Sequence, residues 1–291
     1  MAKYLTVIGL VLCCLGGCSD EVDVDLPISR QKLNDTGIIW GADYPTGDIE
    51  DCSTVSVTNT ETAQKLDDAQ AKKNIILQQQ DCMHGRDVAI KDDSNGHAGF
   101  VYQKYSNIGK KLSKSAKEWD CVLDEVTGLL WEVKHPSDMV YGNNGLHDSD
   151  DRFTWYNPNK QTNGGAIGDW NSRFFQCSGY VANQPETYCN IEEFASRVNK
   201  EGLCGYNDWR VPTRLELAGL VNFGHSAPAI DTDFFPNTRE EFYWSSSPDA
   251  SLSITAWAIS FQAGHSSILP RNNGQHVRLV SSRTSTSERT D

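Results

Sequence analysis

The residues of this chain best suited to chemistry are oxygen donors, aromatic rings and sulfur. Asp148, Asp150 and Asp151 follow closely on Asn143 and Asn144, and Asp231 and Asp233 form a second acidic pair. Carboxylates and amide carbonyls gathered in turns are the donors calcium takes, about six to eight oxygens per ion. The spacing is not that of an EF-hand, and turns rich in Asp and Asn are commonly just solvated. No cofactor is therefore expected, with calcium as the alternative. Trp155, Tyr156 and Trp170 stand among Gly and Asn. Exposed, such rings stack on sugar faces or anchor a protein; buried, they cover a small core beneath a loop, and composition does not separate the two. The seven His show no His-x-x-x-His pairing, and the serines at 245–247 lack the Gly-x-Ser-x-Gly frame of a nucleophile elbow. Binding is expected of these residues, and no catalytic residue is assigned.

The elements that must position them are legible in part. In Cys204-Gly-Tyr-Asn-Asp-Trp-Arg-Val-Pro-Thr-Arg-Leu-Glu-Leu217, Trp209 and Val211 alternate with Asp208 and Arg210, which predicts a short strand buried on one side. Pro212 stops it. Thr213 and Glu216 then form a capping box, each side chain satisfying a free backbone N–H at a helix start. Leu215, Leu217, Leu220 and Val221 give that helix an apolar side, and Gly224 stands where a cap belongs. Arg210 is expected to bridge neighbouring segments while Trp209 fills the core, a structural role for both. Asn190 and Glu193 open another helix, with Ile191, Phe194, Ala195 and Val198 on one face and Gly202 at its end.

Strands are predicted at 100–105, at 122–131 as a hairpin, and at 243–247, 256–261 and 276–280. Ala63, Leu66, Ala69 and Ile76 predict one helix across 60–80. Residues 135–176 have no period, and an irregular stretch that long inside a compact domain is usually functional or disordered; its aromatics favour function. The fold class is α+β: two helices on short antiparallel strands, loop-rich and stapled by disulfides.

The corner at 205–217 resembles the signature of the Lcl C-terminal domain family, a module of bacterial surface and secreted proteins. Further pieces of the pattern occur in order: Trp119-Asp-Cys-Val-Leu-Asp-Glu-Val-Thr-Gly-Leu-Leu-Trp131, Pro228-Ala-Ile-Asp231, Phe234-Phe-Pro-Asn237, Tyr243-Trp-Ser-Ser-Ser247 and Val277-Arg-Leu-Val280. The resemblance covers 119–280 well and 35–118 loosely. It implies a C-type-lectin-like fold and a role in attachment and ligand binding. The Glu-Pro-Asn or Gln-Pro-Asp sugar triplet of calcium-dependent C-type lectins is absent. The run Trp209-Arg-Val-Pro-Thr-Arg-Leu-Glu216 is also similar to a motif of formylglycine-generating enzymes, whose chemistry needs a reactive thiol pair.

Charge and cysteines bound the compartment. A positive start at Lys3, an apolar run at 4–15 and Leu15-Gly-Gly-Cys18 read as a signal peptide closed by a box similar to that of bacterial lipoproteins. The run is short of the ~20 residues that span a bilayer. Cys18 is thus expected to carry lipid and tether the chain to the outer membrane through an acidic linker. Removing 1–17 leaves six further cysteines, an even number suited to three disulfides in an oxidising envelope. Fifteen pairings are open; locality and the resemblance favour Cys52 with Cys82, Cys121 with Cys204, and Cys177 with Cys189. The reading is a signal peptide at 1–17, a tether at 18–33, an N-terminal region at 34–118, the module at 119–280 and a frayed tail at 281–291. A net charge of −13 without clustered Lys and Arg excludes nucleic acid. The expected partners are the membrane and a surface glycan or envelope protein. A structural component of an envelope complex is the alternative, and a formylglycine-generating-like enzyme the second.

Overall fold

The computed structural model describes residues 33–42, 49–51, 80–81, 84–86, 93–172 and 176–283. The expected lipid-bearing Cys18, the Cys52–Cys82 pair and all but the last residue of the 60–80 helix lie outside them. The centre is a five-stranded antiparallel sheet, ordered β3 (Tyr102–Tyr105), β4 (Cys121–Asp124), β5 (Leu130–Glu132), β10 (Val280–Ser281) and β6 (Trp209–Arg210). A separate three-stranded sheet runs β7 (Phe242–Pro248), β8 (Thr255–Ser260) and β9 (Ser266–Pro270). A two-stranded ribbon of β1 (Trp40–Ala42) and β2 (Ile49–Asp51) lies upstream. Two α-helices are described, α1 (Ile191–Glu201) and α2 (Arg214–Ala218). Among the described residues no helix is long and apolar enough to cross a membrane. Because β3 pairs with β4 along its length, the central sheet extends upstream of the boundary expected near Trp119.

The central strands β4, β5 and β10 are buried on both faces, and the two-residue period of a strand sorts the buried side chains of the two sheets into two cores. Cys121, Leu123, Leu130, Trp244, Ala256 and Leu279 enter one, built around α1. Val122, Trp131, Tyr243, Ile259 and Val280 enter the other, with Phe234 and Phe235. Ile191, Phe194 and Val198 bring the apolar stripe of α1 into the first core, and Asn190 accepts the Glu192 and Glu193 amides at its start. Two of the expected disulfides fall on described residues and are formed. Cys121–Cys204 joins residues 83 apart and Cys177–Cys189 residues 12 apart. In the chain-entropy picture these closures are worth about 4.5 and about 3 kcal/mol.

Charge is buried alongside the sheet. Glu132, fully inaccessible, accepts Lys134 Nζ at 2.7 Å and the Leu279 amide at 2.8 Å, and pairs with His147 Nδ1 at 2.8 Å. Burial alone would raise its carboxyl, but Lys134 and His147 prevail and hold it at about 2. Arg278, equally buried, donates to the Glu132 carbonyl and to Thr238 Oγ1, with Phe235 4.9 Å from its guanidinium carbon.

The second helix is shorter than its apolar pattern predicts. Its capping box is present, but it ends at Gly219, and Leu215 is 71% exposed. Leu220 and Val221 reach the core through tight turns, their amides bonded to the Leu217 and Ala218 carbonyls. Gly224 is no cap. A Cβ there would meet the Gly37 carbonyl oxygen at 2.2 Å, so this glycine admits the segment whose Thr36 carbonyl accepts the Phe223 amide.

Candidate ligand-binding site

A groove of about 670 Å³ opens between α1, the extended arm 209–213 and the loop after Trp155. Its wall is set by Asn199, whose amide side chain binds both the N–H and the C=O of Trp209 at 2.7 Å and so fastens the arm to the helix. Trp209 turns its ring into the core, with Nε1 on the Leu203 carbonyl at 3.0 Å. Arg210 points the other way and makes a two-pronged contact with Glu216 at 2.8 and 2.6 Å, while Glu216 also accepts the Thr213 amide. Burial raises the Glu216 carboxyl, but Arg210 and the Thr213 donors outweigh it and lower it. Asp208 accepts Ser281 Oγ, and the Pro212 carbonyl accepts the Ser246 amide. The whole signature is thus tied into structure, and of its polar side chains Arg210 and Thr213 face the groove.

The loop that forms the opposite lip is held by Arg271, which is 2% exposed. Its guanidinium lies 3.9 Å over the Trp155 ring and donates to the carbonyls of Thr255, Asn163 and Ala166. Gly168 permits the return of the chain: its φ is +87°, and a Cβ would lie 2.2 Å from the Trp155 carbonyl oxygen. These contacts decide the fate of the three aromatic rings. Trp155 is fully buried, its Nε1 on the Ser245 carbonyl at 2.9 Å, so it cannot offer a stacking face as the sequence reading allowed. It belongs to the core because Arg271 covers it and the loop folds back over it. Tyr156 is half-buried and lines the groove. Trp170 is 51% exposed and rests on Tyr188 with ring centres 5.2 Å apart, and Tyr188 stacks on Tyr180 at 5.8 Å. Asn190 links this platform to α1, since the side chain that caps the helix also donates to the Trp170 carbonyl.

The polar face of α1 supplies Glu192 and Ser196 to the groove, residues that no sequence motif marks. Their only signal is helical spacing opposite the apolar stripe. Among the described residues lining the groove there is no His, Cys or Lys. What the lining offers is hydrogen bonding from Asn157, Thr162, Glu192, Ser196 and Arg210 beside the half-buried Tyr156 ring, the mixture that orients a polar ligand.

The carboxylates expected to act together are divided. Asp151 accepts the Gly142 amide at 2.9 Å and the Ser178 amide at 2.6 Å, closing two loop segments. Burial pushes its carboxyl up to about 6 despite those two bonds. Asp148 and Asp150 instead come together with Asp138, with one oxygen of each within 4.8 Å of the others. Asp138 was missed because it lies ten residues upstream, across an irregular loop. Asp231 accepts the His97 and Asp233 amides.

No curated protein and no solved structure shows significant similarity to the chain. The sequence model of the Lcl C-terminal domain matches residues 120–281. That match is more than half of the 291 residues and runs from the start of β4 to the end of β10, taking in both helices, the groove and both disulfides. The chain belongs to the Lcl C-terminal domain family.

Proposed function

We propose that this protein is a noncatalytic binding module of the bacterial envelope, whose groove between α1 and the 209–213 arm takes a neutral glycan. Family membership points to a surface or envelope module. The observation that carries the finer reading is the lining: a groove of about 670 Å³ with Tyr156 on one lip and Glu192, Ser196 and Arg210 on the other walls, and the exposed Trp170 platform tied to the start of α1 through Asn190. Neutral sugar is favoured over a sulfated polymer by charge. Loss of 1–17 would leave 25 basic against 39 acidic residues, a net −14. Two helices beside short antiparallel strands, with two disulfides in the first core, support a C-type-lectin-like architecture. The lipid on Cys18 would hold the module at the outer membrane.

A glycan array probed with the purified protein, with and without calcium, tests this. Binding to neutral oligosaccharides supports it. Silence on the array together with a stoichiometric partner in crosslinking would favour a structural component of an envelope complex. A formylglycine-generating-like enzyme needs a free thiol pair, and the four cysteines among the described residues are all in disulfides. Free thiols at Cys52 and Cys82 in the oxidised protein would revive that reading.

A further inference from the structure

We propose that the loop 135–151 binds one calcium ion through Asp138, Asp148 and Asp150, with the amide oxygen of Asn143 as a fourth protein donor. The carboxylates converge because the loop is laced to itself. His135 bridges Asp148 in parallel, the Asp150 amide donates to Asp148 Oδ1 at 2.9 Å, and Ser137 Oγ and the Met139 amide hold Asp150 at 2.6 Å each. Asp138 is oriented by the Val140 amide at 2.9 Å and by Asn143 Nδ2 at 2.6 Å. One oxygen from each of the three then lies within 4.8 Å of the others. Calcium holds oxygens at about 2.3–2.6 Å, so two ligands across one ion are about 4.6–5.2 Å apart and neighbouring ligands closer. The spacing fits one ion.

An independent observation points the same way. Asp148 is 0% exposed, and its Oδ2 has no hydrogen-bond partner. A buried carboxylate oxygen is rarely left so, because its desolvation then goes uncompensated. The Oδ1 of Asn143, on the side chain that already reaches Asp138, is likewise buried and unpartnered. Arg239 offsets part of the charge, with Nη1 3.9 Å from Asp150 Oδ1. Three carboxylates against one guanidinium still leave a net −2. The donors are all oxygen, with no His or Cys among them, which selects a hard cation. An irregular loop suits calcium better than magnesium, which demands near-octahedral geometry and keeps its water.

The site lies outside the groove lining, so it stands or falls separately from glycan binding. Isothermal titration of the full chain, first stripped with chelator, tests it with calcium and with magnesium. One calcium per chain is expected, with Kd in the range of about 0.1–1 mM typical of extracellular modules, and at least tenfold weaker magnesium binding. Asp148→Asn and, separately, Asp138→Asn should each weaken calcium at least tenfold. Asp138 is exposed, so its variant keeps the fold and the test survives if the Asp148 variant does not. Absence of calcium binding up to about 10 mM, or binding unchanged by Asp138→Asn, overturns the proposal.

Discussion

Replacing Glu132 by Gln removes the buried carboxylate that holds Lys134 and His147, and its cost can be worked from the geometry. Glu132 is fully buried and Lys134 3% exposed by side chain, 2.7 Å apart, and Lys134 Nζ also lies 4.6 Å from the centre of the Phe194 ring. Moving a carboxyl from 4.5 to about 2 corresponds to roughly 3 kcal/mol of extra stability for the folded, ionised form. Breaking one side of a buried ion pair costs about 3–5 kcal/mol on independent grounds, because the other charge is left unpaired. The two figures agree. Glu132→Gln should therefore lower the unfolding free energy by about 3 kcal/mol at neutral pH, or shift Tm by roughly 6 °C for a chain of this size. Adding Lys134→Met should recover most of the loss, since the stranded cation is then gone. The pH dependence follows from the depressed carboxyl: its contribution is complete above about 4.5 and is lost as pH falls through about 2. The wild type should lose more stability across that window than the variant, which keeps the depressed Glu241 carboxyl. Denaturant melts of the wild type, both single variants and the double variant measure all of this. A cost below about 1 kcal/mol for Glu132→Gln, or a double variant no more stable than the single, would refute the buried-pair argument.

Three other outcomes follow. Asp151 titrates near 6 when folded, against 3.8 for the free side chain, so its protonation favours the native state. Its contribution is fully present below about 3.8 and lost as pH rises through about 6, worth roughly 3 kcal/mol. Melting temperature against pH should show the wild type gaining stability relative to Asp151→Asn from pH 7 to about pH 4. Arg210→Lys keeps the charge but loses the fork, and with the Arg210 side chain 41% exposed the cost is about 1 kcal/mol in a urea melt. Glu216→Ala should cost more, about 2 kcal/mol, because the Thr213 amide loses its acceptor and Arg210 its partner, while the Thr213 hydroxyl still caps the helix. Changing Cys177 and Cys189 together to Ser should lower stability by about 3 kcal/mol and loosen Tyr188 under Trp170, read as a shift in Trp emission.

What the sequence made legible was local and chemically explicit. The capping box at Thr213 and Glu216, the Asn190 cap and the β4–β5 hairpin each rest on contacts between near neighbours, and each is present. What stayed hidden depends on residues far apart in the chain. Trp155 reads as a loop aromatic until Arg271, more than a hundred positions away, is seen to cover it. Leu220 and Val221 look like a helix face, yet burial is all that an apolar pattern guarantees, and tight turns deliver it equally well. β9 was overlooked because its Ser266, Ser267 and Pro270 carry little strand signal, and its residues alternate between exposed and half-buried along one side of β8. The groove was invisible for the same reason: Asn199 and Ser196 are ordinary helix-surface residues until the Trp209 arm closes against them.

The proposed function requires that ligand bind in the groove beside α1. Titrating the best oligosaccharide from the array against wild type, Trp170→Ala and Ser196→Trp tests it most directly. Ser196 is exposed on the helix and lines the groove, so a bulky ring there fills the space without entering the core. At least a tenfold loss of affinity in Ser196→Trp, with an unchanged melting curve, is the predicted result; affinity equal to wild type would place the ligand elsewhere and contradict the account.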